Sequence, residues 1–333
     1  MSAARGTPGT SLLDDISRRW RAADALLPAP VLPAPDSSCG AVFTVPGADG
    51  QPNAIGACEH WQADPESLEL TWGAARRFQL TARVGGPDVG ALLDGLLQMW
   101  HVHLAGAHGI DDDSAAVVVW PSRDIDGIRT LLGRGFAPRG IVAARGSIVV
   151  GVSASPAGRA QTPAQTTPAP PRFAIRRAGP ADTEAVVRLG LEVIRYDAHF
   201  GGVVERPSTA PALRSELAAM LSEPECWIWL AERDHNPAGV LIAERPPAQW
   251  IAPLVAAAPV AYNMLTFVSS ADRGTGVSAA LVDCFHEAAN RAGVPLTLLH
   301  YEDANPLSAP FWARHGYRPL WTSWEARPAS TMR

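Results

Sequence analysis

The sequence predicts an α/β (α+β) fold built from two related halves, and three observations carry that reading. Short apolar runs alternate with amphipathic stretches of helical period along the whole chain. Ser153 to Arg172 holds five prolines among Ala, Thr and Gln and no large apolar residue, so it reads as an extended linker. The endings of the two parts it separates match in order. Val117–Gly140 (VVVWPSRDIDGIRTLLGRGFAPRG) and Leu298–Leu320 (LLHYEDANPLSAPFWARHGYRPL) both run apolar strand, polar turn, helix, Gly-aromatic, x-Pro. This is the signature of a divergent internal duplication, with domains at 1–152 and 173–333 and the linker at 153–172.

In the first half a helix is expected over Leu12–Leu27, followed by a Pro-rich stretch, Pro28–Ser38. Strand-like runs follow at Ala41–Val45, Ala54–Glu59, Leu68–Trp72 and Phe78–Val84. Then come a helix over Pro87–Leu104, a strand at Ala115–Trp120, a helix over Asp124–Gly133 and a strand at Ile141–Val150. The second half opens with a short strand, Phe173–Arg177, and a helix to Tyr196 with Asp182 as its cap. A second helix covers Ala210–Leu221. Cys226–Glu232 and Ala238–Glu244 flank the turn Asp234-His235-Asn236-Pro237 and predict an antiparallel hairpin. A strand at Tyr262–Val268 leads through a glycine turn into a helix, Val277–Ala292. Leu296–Tyr301 is a strand, Pro306–His315 a helix, and Tyr317–Glu325 one or two last strands.

Composition limits what the chain can do. Of its 333 residues 47% are hydrophobic and 18% charged, enough apolar material for two cores and too much for a disordered chain. The net charge of −5 argues against non-specific affinity for nucleic acid or anionic lipid. All 28 basic residues are arginine, which excludes lysine Schiff-base chemistry and a P-loop lysine. High Ala, Gly and Pro without Lys is the codon bias of a GC-rich, actinobacterial-like genome. The cysteines Cys39, Cys58, Cys226 and Cys284 form no C-x-x-C pair, which fits a reducing cytoplasm. No signal-peptide pattern opens the sequence. The uncharged run Ile251–Val268 is broken by Pro253, Pro259 and Asn263 and reads as a buried loop entering a strand, so no membrane partner is expected.

The informative segment is Tyr262–Ala280, YNMLTFVSSADRGTGVSAA. An apolar strand feeds an Arg-Gly-Thr-Gly turn, which feeds a helix. Successive amides at such a helix start can converge on one anion, helped by the helix dipole. A tight turn that merely needs glycine is the plain alternative. There is no Gly-Lys-Ser/Thr, so this is no Walker A loop, and the third glycine of a dinucleotide fingerprint is missing.

The segment resembles motif A of the GNAT N-acetyltransferase superfamily, a strand, V-x-P-x-x-R-G-x-G-[IV]-G/A, then a helix. Val268, Arg273, Gly274, Gly276 and Val277 stand at those spacings, while Ser270 replaces Pro and Ser278 the last Gly or Ala. Asn305–Tyr317 resembles the family's N-P-x-A-x-x-L-Y-x-x-x-G-F segment without a gap. The resemblance covers Phe173 to about Arg327 and extends faintly over the first half. It implies two tandem GNAT-like domains, each a mixed, mostly antiparallel twisted sheet flanked by helices. It also implies acetyl-CoA as co-substrate. The backbone of Phe267 and Val268 would pair with pantetheine. Amides of Arg273, Gly274, Thr275, Gly276, Val277 and Ser278 would hold the pyrophosphate, and Asn305 would reach the pantetheine arm.

Departures from the pattern bear on catalysis. Trp312 stands where the family keeps an acidic Tyr, and an indole N–H donates a hydrogen bond but no proton at pH 7. His300 lies five residues before Asn305, where one branch of the family places a glutamate base, and an imidazole suits that work near neutral pH. A core histidine at a strand end is the plain alternative. Tyr262 and Asn263 cannot act as ordinary bases, and Glu244 reads as a solvated strand-end carboxylate. In the first half the turn is Val84-Gly85-Gly86-Pro87-Asp88, without the arginine and with one amide lost to proline, so cofactor binding is expected to be absent there. His101, His103, His108 and Asp111–Asp113 form a polar loop rather than a metal site, because residues two apart on a helix diverge; no metal is expected.

Three readings follow, the last a purely structural tandem domain that would bind no acetyl-CoA. The first is an acetyl-CoA-dependent N-acyltransferase acting on an amine of a small molecule or peptide. The second is a catalytically weak acyl-CoA-binding regulatory protein, motivated by Trp312. The apolar loop Pro247–Val260 is expected to line the acceptor side and points to an acceptor with an apolar part. A homodimer is left open.

Overall fold

The computed structural model describes residues 8–33, 39–47, 50–146 and 173–333. The expected linker at 153–172, the end of the Pro-rich stretch and the last residues of the strand expected at Ile141–Val150 lie outside them.

The first half runs α1 (Pro8–Ala23), β1 (Cys39–Pro46), β2 (Pro52–Gln62), β3 (Arg76–Val84), α2 (Val89–Ala105), β4 (Ser114–Pro121), α3 (Ile125–Gly133) and β5 (Ala137–Gly146). The second runs β6 (Ala174–Arg177), α4 (Thr183–Asp197), α5 (Thr209–Ser222), β7 (Trp227–Arg233), β8 (Asn236–Glu244), β9 (Val260–Val268), α6 (Val277–Arg291), β10 (Leu296–Glu302), α7 (Ser308–Arg314) and β11 (Arg318–Ala326). The mixed α/β character read from the alternation of runs is therefore present in both halves.

Local chemistry explains most of these elements. Leu12, Ile16 and Trp20 recur every four residues and give α1 one buried face. Asp234 and His235, at φ 48° and 63°, make the two-residue turn between β7 and β8 that matches the twist of a hairpin. Asp182 does not cap α4 as expected. Its carboxylate accepts the Gly179 amide at 2.8 Å and pairs with Arg176 at 2.7 Å, closing the preceding turn instead. The run Leu68–Trp72, expected as a strand from its period-two apolar pattern, is a 3-10 turn. The Asp64 carboxylate accepts the Glu66 amide at 2.9 Å and the Ser67 hydroxyl donates to the Asp64 carbonyl at 3.0 Å, so the chain is already turning before Leu68.

All strands described join one sheet in the order β1-β2-β3-β4-β11-β5-β10-β9-β8-β7-β6. Each half contributes one parallel pair, β3 with β4 and β9 with β10, and the remaining pairs are antiparallel. The last strand of each half crosses over. β5 pairs with β10 of the second half from Leu296↔Gly146 to Glu302↔Gly140, and β11 pairs with β4 of the first from Trp321↔Pro121 to Ala326↔Ala116. β5 and β11 pair with each other at the centre. The order β3-α2-β4-α3-β5 thus repeats as β9-α6-β10-α7-β11, the arrangement the matching endings anticipated.

Burial on both faces accounts for the central place of β5. Ile141 and Ala143 pack under α6, while Val142 and Ala144 face α1. α2 and α3 cover the first half around Leu93, Trp100 and Trp120, and α4 and α5 cover the second around Val240 and Ile242. The loop before β9 differs from its expected role. Ala248, Ile251 and Val255 are buried against Leu12, Ile16, Trp20 and Trp321, so the segment seals the core beside α1 instead of lining an acceptor site. Of its large apolar side chains Trp250, 58% exposed, is the one that reaches outward. Among the described residues no helix is long and apolar enough to cross a membrane.

Candidate active site between the splayed strands

β9 and β10 are hydrogen-bonded only from Val260↔Leu296 to Asn263↔Leu299. Beyond that point β9 follows β8 as far as Val268↔Gly239, while β10 follows β5 as far as Glu302. A register shift in the β8–β9 ladder between Ile242 and Ala243, opposite Leu265 and Asn263, adds to the divergence. The strands therefore part, and a cleft of about 320 Å³ opens between them.

The sequence-predicted residues divide into two groups there. Phe267, Val268, Arg273, Ser278, His300, Asn305 and Trp312 line the cleft together. Gly274, Thr275, Gly276 and Val277 make the turn that joins Arg273 to Ser278 and do not themselves line it. Gly274 and Gly276 have φ of 76° and 90°, a region that side chains disfavour. A Cβ on either would meet nothing within 4 Å, so the turn presents bare backbone. No side chain caps the start of α6 at Gly276, which leaves its first-turn amides for an anion. Val277 points into the core under α6. Where the family pattern has proline, Ser270 opens a short 3-10 turn. Asp272 fastens that turn by accepting from Ser269 Oγ at 2.6 Å and pairing with Arg233 at 2.9 Å, and the Thr275 hydroxyl donates to the Asp272 carbonyl at 2.6 Å.

Arg273 lies over the rings of Tyr196 and Phe267, 4.9 and 5.9 Å from their centroids, at the wall of the cleft. Asn305 is buried and its amide is oriented on both sides. Oδ1 accepts the Leu307 amide at 3.0 Å and Nδ2 donates to Asp197 Oδ1 at 3.0 Å. Trp312 is buried on α7 against Tyr317 and Phe311.

His300 stands two residues before the end of β10 and is partly open to solvent. Its Nδ1 lies 2.9 Å from the Tyr262 hydroxyl, and Trp250 stacks on it at 6.1 Å. Burial pushes its pKa down to about 4, and burial with the nearby Glu244 charge pushes Tyr262 up, so both are neutral at pH 7. His300 therefore sits between its two readings: it faces the cleft, and it is a much weaker base than a free imidazole.

Two carboxylates that sequence reasoning missed lie close by. Asp197, at the end of α4, lines the cleft, and burial raises its pKa to about 6 against the opposing hydrogen bond from Asn305. Glu302 is pushed up to about 7, first by burial and then by the Asp197 and Glu325 charges, with Arg139 and Arg327 pulling it back. Nothing local marks Asp197, since only the fold brings the end of α4 to Asn305. Glu302 was within reach of the sequence, two residues after His300.

The corresponding turn in the first half is filled by the protein itself. A Cβ on Gly85 would lie 2.7 Å from Leu12 Cδ1, and the Gly86 amide donates to Asp15 Oδ2 at 3.4 Å. The Asp88 carboxylate accepts the Ala91 amide at 3.0 Å and caps α2. Side chains of α1 thus occupy the place that stays open in the second half. Of the polar loop after α2, Asp111 pairs with Arg76, and Asp113 with Arg206 at 2.7 Å and Arg327 at 3.3 Å.

No protein-family model matches the sequence, and no curated protein matches it. Solved structures do resemble it. A GCN5-related N-acetyltransferase from Sphaerobacter thermophilus superposes with a TM-score of 0.52 at 16% identity, over 86% of this chain and 80% of that one. A GNAT-family acetyltransferase from Colwellia psychrerythraea gives 0.47 at 10% identity, over 85% and 84%. A tandem GNAT protein from the clavulanic acid biosynthesis pathway gives 0.39 at 15% identity, over 95% of both chains. With its splayed strands, bare glycine turn and repeated order of elements, the chain has the fold of the GCN5-related N-acetyltransferases, laid out twice in one polypeptide.

Proposed function

We propose that the protein is an acetyl-CoA-dependent N-acyltransferase whose working site is the cleft between β9 and β10. The carrying observation is the open turn from Arg273 to Ser278 at the head of a cleft where two parallel strands separate. The amides of that turn suit the pyrophosphate of coenzyme A. The edge of β9 that β10 leaves open beyond Asn263 borders the cleft at Phe267 and Val268 and suits the pantetheine amides, which would continue the sheet as an added strand. Asn305 keeps one amide hydrogen for the same arm once Asp197 has taken the other.

The acceptor nitrogen attacks the thioester carbonyl carbon, the C–S bond breaks, and sulfur leaves as thiolate. The nitrogen gives up a proton, and the thiolate takes one to end as coenzyme A thiol. Asp197, with a pKa near 6, is ionised at pH 7 and matches proton acceptance better than His300 does. His300 accepts at Nε2 only when Nδ1 carries the proton and donates it to Tyr262, so its part is to orient the amine. Trp312 shapes the cleft wall and donates no proton. The acceptor is the amine of a small molecule or peptide.

Calorimetry with acetyl-CoA tests this reading. One mole should bind per mole of chain, and Gly276→Val should weaken binding by about 100-fold, because it adds strain at φ 90° and bulk beside the phosphates. No heat with the unaltered protein would sink the proposal.

A further inference from the structure

A cavity of about 610 Å³ lies in the second half between the end of β6, the turn from α5 into β7 and the end of α6, and it shares no lining residue with the cleft. α6 starts at the glycine turn and ends at Arg291, so fifteen residues of helix, about 21 Å, hold the two places apart. The cavity floor is apolar, with Ala178, Leu221, Trp227 and Ala288 all buried. Arg177 stands in its wall. The guanidinium lies 4.3 Å from the centroid of the Trp229 ring, and Nη1 donates to the Cys226 carbonyl. Cys226 Sγ donates in turn to the Ala178 carbonyl at 3.3 Å, tying the end of β6 to the turn. Among the described residues no carboxylate pairs with Arg177, whereas Arg176 beside it binds Asp182 at 2.7 Å and Glu232 at 2.6 Å. Arg291 lines the same cavity, and its pair with Glu287 is long, 3.4 Å. Burial lowers the Arg177 pKa and the Arg291 charge adds to that, while Cys226, Glu225 and Cys284 oppose it. Glu223 and Glu225 also line the cavity; both are exposed, and Glu225 pairs with Arg245 at 3.4 Å.

We infer that this cavity is a second ligand site, for a monocarboxylate on an apolar body: the carboxylate pairs with Arg177 and Arg291, and the body lies over Leu221 and Trp227. A guanidinium meets a carboxylate with two parallel N–H···O bonds, and one already seated on a ring loses little freedom in forming them. The apolar floor and the volume suit a body the size of two fused rings. Glu223 and Glu225 count against a dianion, which would bring a second negative charge up to them. The site stands whether or not the cleft transfers acyl groups.

The test titrates 2-naphthoate, 2-naphthamide and 2-naphthylmethylamine into the full chain by calorimetry. Naphthoate should bind once per chain with a Kd of about 1 mM or below. It should bind at least about tenfold tighter than the amide, which keeps the rings and loses the charge, and than the amine, which reverses it. Arg177→Gln should weaken naphthoate about tenfold and Arg291→Gln about threefold. The Arg291 side chain is 76% exposed, so its variant tests the cavity even if Arg177→Gln does not fold. Arg273→Gln removes the arginine of the cleft, the other place where an anion could lodge, and should leave naphthoate affinity unchanged. No binding up to about 10 mM, or an amide or amine held as tightly as the acid, would overturn the inference. So would affinity kept by Arg177→Gln, affinity kept by Arg291→Gln where the first variant does not fold, or affinity lost in Arg273→Gln, which would place the ligand in the cleft.

Discussion

Glu302, near Asp197, is a partly buried carboxylate held at a cost to stability. Folding raises its pKa from 4.5 to about 7, so the ionised form is disfavoured in the native state relative to the unfolded chain. The sign follows from proton linkage: the cost is full above the folded pKa and fades as pH falls toward 4.5. Replacing Glu302 by Gln should therefore stabilise the fold at pH 8 by about 1 kcal/mol once solvent screening is counted, read as a higher melting temperature, and the gain should vanish near pH 4.5. A melting series from pH 4.5 to 8 checks both the direction and the window. Single residues were legible in the sequence only where a motif fixed them. Gly274, Gly276 and Asn305 stand where their spacing put them. Asp197 reaches Asn305 across 108 positions of chain, and no local pattern announces such a contact.

Among the elements, the two glycine turns make an internal control. Both have a glycine with positive φ before or at the start of a helix, Gly276 before α6 and Gly86 before α2. One is open, and the other is filled by Leu12 and met by Asp15. Trimming Leu12 to Ala should cost about 2–4 kcal/mol, because it is 4% exposed in the core beneath α1. It should not add a second acetyl-CoA site, since Pro87 and Asp15 still deny the amides an anion; the stoichiometry of cofactor binding measures this. The sequence announced this contrast through the missing arginine and the proline. It misled at Leu68–Trp72, where period-two apolarity implied a strand. Leu68 packs toward α5 and Trp72 lines the cleft from a turn that Asp64 has already set, and local alternation cannot tell a strand from such a turn. The same ambiguity hid Trp72.

At the scale of the whole molecule, the halves share a sheet whose central strands are exchanged. Unfolding should be a single calorimetric transition, because neither half can lose its last strand without opening the other. Expressed alone, residues 173–333 would leave β10 without its neighbour β5 and β11 without β4, so the fragment should be aggregated or unfolded by gel filtration and circular dichroism. Mixing it with residues 1–152 should restore the compact form. The internal repeat made a pair of similar units legible in the sequence. The exchange was not, since strand partners so far apart in the chain leave no periodicity behind. A backbone cut between 146 and 173 would accordingly not release two separate bodies. Each piece would still hold the terminal ribbon of the other, interlocked through the middle of the molecule, and a nicked protein would travel as one particle until it was denatured.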